Sequence, residues 1–116
     1  MTTALGRHLS GLAAEDIAER HYCNQGATVL ERRARSEAGE IDLIVGFAAQ
    51  TVFVEVKARK SLEIAAASVS PNQAERIVRS AQEWLGRHGR GEDMRFDIFL
   101  VDRYGATHVI ENALFE

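Results

Sequence analysis

The sequence predicts an α/β fold: a mixed β-sheet flanked by helices, in the order α-β-β-β-α-β-β. Three observations predict it. An early segment carries apolar residues at helical spacing, two Val- and Ile-rich segments lie four residues apart, and a second helix with a clear N-terminal signal is followed by further strand-like segments. At 116 residues, 46% of them hydrophobic, the chain suits a single domain, 1–116, with one modest core.

Residues 4 to 25 read as the first helix, with Leu5, Leu9, Leu12, Ala13 and Ile17 as its apolar stripe and Gly26 as its stop. Residues 27 to 35 read as a strand. Two clearer strands follow, 40 to 46 and 51 to 58, joined by Phe47 to Gln50. Residues 59 to 69 fit neither period and are expected to form a mobile loop. Ser70 then caps the second helix, Pro71 suits its first position, and Gln73 completes a Ser-x-x-Gln capping box. That helix should run to about Arg87 and bury Ala74, Ile77, Ala81, Trp84 and Leu85. Residues 95 to 102 and 106 to 111 read as two last strands around a Tyr104-Gly105 turn.

Side chains alternate along a strand, so Ile41, Leu43 and Val45 should share one face and Glu40, Asp42 and Ile44 the other. In the next strand Val52, Val54 and Val56 oppose Phe53, Glu55 and Lys57. Pairing Gly46 with Thr51 sets Asp42 opposite Glu55 and Glu40 opposite Lys57, with side chains starting about 5 Å apart. Like charges so placed repel. A lattice in which Lys57 neutralises Glu40 would leave Asp42 against Glu55 uncompensated, whereas a divalent cation such as Mg²⁺ compensates both. Lys57 projects from the same face as Glu55 and can reach a phosphate or an attacking water, which is chemistry for phosphodiester hydrolysis.

An Asp, about a dozen residues, then Glu-x-Lys on an adjoining strand resembles the core of the PD-(D/E)xK, or restriction-endonuclease-like, nuclease superfamily. Over nearly the whole chain the sequence resembles the YraN-like uncharacterised protein family within it. The matching pieces are Gly11-x-x-x-Glu15-x-x-Ala18 followed by Gly26, Arg35 before GEIDLI at 39 to 44, VFVEVKAR at 52 to 59, AAASV at 65 to 69 and RFDI at 95 to 98. The resemblance implies a restriction-endonuclease-like mixed sheet flanked by helices, an endonuclease site and dependence on Mg²⁺ or Mn²⁺. It matches Asp42 and Glu55 to the metal-binding acids, Lys57 to the superfamily lysine, and Glu15 to an acid of the first helix that completes the metal site in related junction resolvases. Arg33 stands where the family often has Asn, and Gln73 where it often has Lys.

Read singly, Glu15 is either a solvated helix charge or a ligand, and Glu40 is a ligand or, in preference, the partner of Lys57. Arg35 and Arg59 suit flanking phosphates because the guanidinium fork is bidentate. Gln73 is either a capping residue, the favoured reading, or a substrate contact. The four histidines show no metal-ligand spacing, Trp84 is expected in the core, and Asp97 and Asp102 are expected to face solvent.

A net charge of −3 argues against coating nucleic acid by bulk electrostatics, although Arg and Lys cluster at 32–35, 57–60 and 76–90. The lone Cys23 excludes an intramolecular disulfide and suits the cytoplasm, and no apolar run approaches a membrane span. Two functions compete. One is a Mg²⁺- or Mn²⁺-dependent endonuclease on nucleic acid, with DNA (branched or damaged) the expected substrate and a homodimer the expected assembly. The other is a non-catalytic module that binds nucleic acid or a protein partner on the same fold.

Overall fold

A computed structural model describes residues 11–90 and 93–113. The elements are α1 (Gly11–Asn24), β1 (Thr28–Arg35), β2 (Glu40–Gly46), β3 (Thr51–Ala58), α2 (Leu62–Ala67), α3 (Pro71–His88), β4 (Met94–Val101) and β5 (Thr107–Ile110). The strands form one sheet in the order β1-β2-β3-β4-β5. Only β3 and β4 are parallel, because the chain between them crosses over through α2 and α3; the other neighbours are antiparallel. The expected α/β class and element order are therefore present, with one helix added.

That addition is α2, which replaces the expected loop over 59 to 69. Ser61 Oγ accepts the Ile64 N–H at 3.1 Å, and Ala65 is buried against Ile98 and Leu100 of β4. Six residues are too few to display a helical period, so the cap and one buried alanine are its whole signal. The first helix also differs from expectation. Leu5 and Leu9 lie outside the described residues, and Leu12 is exposed. The buried stripe is Ala14, Ala18 and Tyr22, spaced four residues apart, and the two alanines allow α1 to lie close on the sheet.

Each face of the sheet has its own core. Under α1 lie Leu43, Val45, Val52, Val54, Phe99 and Val101. Under α3 lie Ala34, Ile41, Ile44, Phe53 and Phe96, packed on Ile77, Ala81 and Trp84. Burying each of the large side chains contributes roughly 1.5–3 kcal/mol, so these two layers dominate the fold's stability. Trp84 is in the core as expected, and its indole N–H donates to Glu31 Oε1 at 2.8 Å.

Asp97 does not face solvent: it is 1% exposed and accepts from the Tyr22 hydroxyl, the Arg95 guanidinium and the Asn112 N–H. Alternation alone misplaced it, since both faces of an inner strand are covered. Among the described residues no helix is long and apolar enough to cross a membrane.

Candidate active site

The β2–β3 register runs Gly46 to Thr51, Val45 to Val52, Ile44 to Phe53 and Leu43 to Val54, as the sequence predicted. Beyond Leu43 the ladder stops. Asp42 meets no backbone partner on β3; its Oδ2 instead accepts the Val56 N–H at 2.8 Å. The strands part here, and the Asp42 carboxylate takes the Val56 N–H in place of a backbone acceptor.

The neighbouring strand β1 is irregular at the same level. Arg33 adopts φ 51°, a left-handed conformation rare for a residue with a Cβ, between the pairs Arg32–Leu43 and Ala34–Ile41. Arg32 and Arg33 both reach α1, through Glu19 and Glu15, while Glu31 and Ala34 both turn toward α3. Opposite them, Ile41 joins the α3 core and Leu43 the α1 core. The expected single face for Ile41, Leu43 and Val45 is thus corrected: alternation breaks at Asp42, and its carboxyl comes to line the α1-side cavity.

That cavity, about 280 Å³, is lined by Glu15, Asp42, Glu55, Lys57 and Arg59, with Ala14 of α1 at its wall. A second, about 240 Å³, lies toward α3 and is lined by Glu40, Glu55, Gln73 and Arg76, with Gly39 and Ser80. Glu55 belongs to both and forms the partition between them. A larger cavity of about 410 Å³, between α2 and the β4–β5 turn, contains none of these carboxylates.

Within the site Glu55 Oε2 accepts from Gln73 Nε2 at 2.7 Å and lies 3.2 Å from Lys57 Nζ. All three are tied down, because Glu55 and Lys57 are nearly buried and Gln73 sits in the first turn of a capped helix. Ser70 Oγ accepts the Gln73 N–H at 3.1 Å, but the Gln73 side chain is spent on Glu55, so the expected capping box is only half formed.

Burial, and then the neighbouring Asp42 charge, push the Glu55 carboxyl up to about 7, although Lys57 pulls it down. Asp42 is also raised, by burial, despite the Val56 N–H and a hydrogen bond shared with Glu55. With both ionised, two negative charges face one ammonium in a poorly solvated gap.

The remaining candidates are placed differently from one another. Glu15 lines the α1-side cavity, but Arg33 holds its carboxylate at 2.9 Å and 3.5 Å. Among the described residues no three Asp, Glu, His or Cys side chains are brought together to hold one metal ion, so the set Asp42, Glu55 and Glu15 is not assembled. Glu40 is not the partner of Lys57: it pairs with Arg35 across β1–β2 at 3.8 Å, exposed, because the parted strands carry it away from β3. Arg59 is exposed at the rim, its guanidinium donating to the Ala58 carbonyl. Sequence reasoning missed Arg76, on the same face of α3 as Gln73 and one turn away, and missed Arg33 as the captor of Glu15. The spacing from Gln73 could have flagged Arg76; nothing local marks the backbone of Arg33.

The donor set fits a hard divalent cation. Two carboxyls, Glu55 buried and Asp42 half-buried, line one cavity with more negative charge than one lysine cancels, and Mg²⁺ or Mn²⁺ commonly takes one or two protein carboxylates and fills its shell with water and phosphate oxygen.

A family profile described as uncharacterised protein family UPF0102 matches residues 14–101. A UPF0102 protein of Roseobacter denitrificans is 43% identical over 109 residues, covering 92% of this chain and 84% of the relative. One from Ruegeria pomeroyi is 41% identical over 108 residues, covering 91% and 88%. One from Rhodopseudomonas palustris is 43% identical over 94 residues, covering 79% and 72%. The matched span holds every element from within α1 to the end of β4, and with it both cavities; this chain belongs to the uncharacterised protein family UPF0102.

Proposed function

We propose that the chain is a metal-dependent endonuclease that hydrolyses phosphodiester bonds in nucleic acid, with DNA as the expected substrate. One observation carries the reading: Asp42 and Glu55 line one cavity between β2 and β3 beside the buried Lys57 ammonium, which lies 3.2 Å from Glu55. A structural ion pair needs one acid per base; this arrangement has one acid too many, where two cavities meet at Glu55. That surplus is what a dication would neutralise.

Bound there, a divalent cation would supply Lewis acidity toward a phosphate oxygen and lower the pKa of a water. Asp42 is oriented for such a role by the Val56 N–H, and Glu55 by Gln73. Lys57 lines the cavity, where its ammonium can orient the attacking water or offset charge gathering on the pentavalent phosphorus as the new P–O bond forms and the ester bond breaks. Arg59 at the α1-side rim, Arg76 in the α3-side cavity, and Arg35, exposed on β1, suit flanking phosphates. A branched or damaged substrate and a homodimer belong to the same proposal.

The test is a panel of linear, branched and damaged DNA and structured RNA incubated with Mn²⁺. Cleavage by the wild type should fall about 100-fold or more in Lys57→Ala, the loss typical when a charge-stabilising donor is removed. Activity that survives the substitution unchanged would show that it arises elsewhere. Salt-sensitive binding of nucleic acid without cleavage in any metal would favour the non-catalytic binding module instead.

A further inference from the structure

The Glu15–Arg33 pair stands out from the other exposed ion pairs of the molecule. Arg32 and Glu19 form a similar contact one step along β1 with a clear two-point geometry at 2.8 Å, away from either cavity. Glu15, in contrast, lines the cavity that contains Asp42, Glu55 and Lys57, and its carboxyl is raised by burial and by the charges of Asp42 and Glu40. Arg33 reaches it from a backbone at φ 51°, a conformation that β-strand residues otherwise avoid. Asp42, across from Arg33 between the pairs Arg32–Leu43 and Ala34–Ile41, enters the same cavity. One irregular step of the β1–β2 pair therefore holds both Asp42 and the guanidinium that takes Glu15.

We infer that Arg33 is a positioning residue that withholds Glu15 from the metal site, and that a nucleic-acid phosphate bound by Arg33 releases it. This rests on the reading of Asp42 and Glu55 as a metal site. The guanidinium offers the same planar fork to a carboxylate and to a phosphate, so a backbone phosphate laid over β1 exchanges directly for Glu15. Glu15 then turns to the cavity it already lines and supplies a third carboxylate. Metal affinity is low in the free protein and rises with substrate, which limits binding of metal when there is nothing to cleave.

Mn²⁺ binding measured by calorimetry tests this without any reference to cleavage. Arg33→Ala should bind Mn²⁺ at least about threefold more tightly than the wild type, and the gain should vanish when Glu15→Gln is added. An equal gain with and without Glu15→Gln would show a through-space charge effect and overturn the inference, as would no gain at all. A phosphorothioate DNA duplex, which resists hydrolysis, should tighten Mn²⁺ binding in the wild type more than in Arg33→Ala; equal tightening or none would overturn the release by phosphate. If the wild type and Arg33→Ala both fail to bind Mn²⁺, the metal site itself falls, and the inference with it. If the wild type binds and Asp42→Asn does not, the site stands whatever Arg33 does.

Discussion

Asp97 on β4 and Glu55 on β3 are both buried acids of one sheet, at 1% and 7% exposure, yet their surroundings are opposite. Asp97 accepts four hydrogen bonds: from the Tyr22 hydroxyl at 2.7 Å, from Arg95 at 2.9 Å twice, and from the Asn112 N–H at 3.0 Å. These donors come from α1, β4 and the segment after β5, so one carboxylate joins three parts of the chain. Burial and the Asp97 charge push the Tyr22 phenol far up, and its proton stays on that hydrogen bond. Glu55 has one amide and one ammonium, and against them a second carboxyl. A buried acid that stabilises a fold is surrounded by donors; one kept beside another acid has a charge left over, which under the proposed function a cation would neutralise.

The comparison breaks first at Asp97. Asp97→Ala leaves Arg95 without its buried partner and Tyr22 without its acceptor, and should lower stability by about 3–5 kcal/mol in urea unfolding. A loss under 1 kcal/mol would mean that this cluster does not hold the fold together.

Glu55→Gln should do the reverse. The Glu55 carboxyl is raised from 4.5 to about 7 in the folded protein, so between those pH values the folded state binds more protons than the unfolded one. Stability contributed by this group is therefore present below pH 4.5 and lost as pH rises through about 7. The variant lacks that loss and should exceed the wild type by on the order of 2 kcal/mol at pH 8, with the difference closing at pH 4. Mn²⁺ should stabilise only the wild type, since binding to the folded state alone raises the melting temperature. A variant less stable than the wild type at pH 8 would make Glu55 a structural acid like Asp97.

Gln73→Ala should cost about 1 kcal/mol, one hydrogen bond to a carboxyl acceptor, and should steepen the pH dependence because Glu55 loses a donor. An unchanged pH profile would detach Gln73 from the site. The smallest effect is expected at Arg32→Ala, whose exposed pair with Glu19 touches neither acid; its unfolding midpoint should match the wild type within error.

Most of the fold was legible in the sequence because its signals are local. The Val-rich segments around Phe47 to Gln50 set the β2–β3 register from Leu43 to Gly46, and Ser70 with Pro71 marked the start of α3. Asp42, Glu55 and Lys57 were legible too, as a pattern of residue types on adjoining strands. The short α2 was not, since a helix of six residues shows no period and is held by the Ala65 contact with β4.

By itself the sequence determined the class of fold, the order of the strands and of the two longer helices, and that Asp42, Glu55 and Lys57 lie on adjoining strands. Tertiary structure alone decided how they meet. Whether an acid is structural or available depends on donors far away in the chain: Tyr22 for Asp97 is 75 residues distant, and Gln73 for Glu55 is 18. It also depends on a break of alternation at Arg33 and Asp42, which leaves the Asp42 carboxyl on the α1 side. Alternation along a strand is a local rule, while burial, pairing and strain are set by everything packed around it; the charge balance of the site follows from the second.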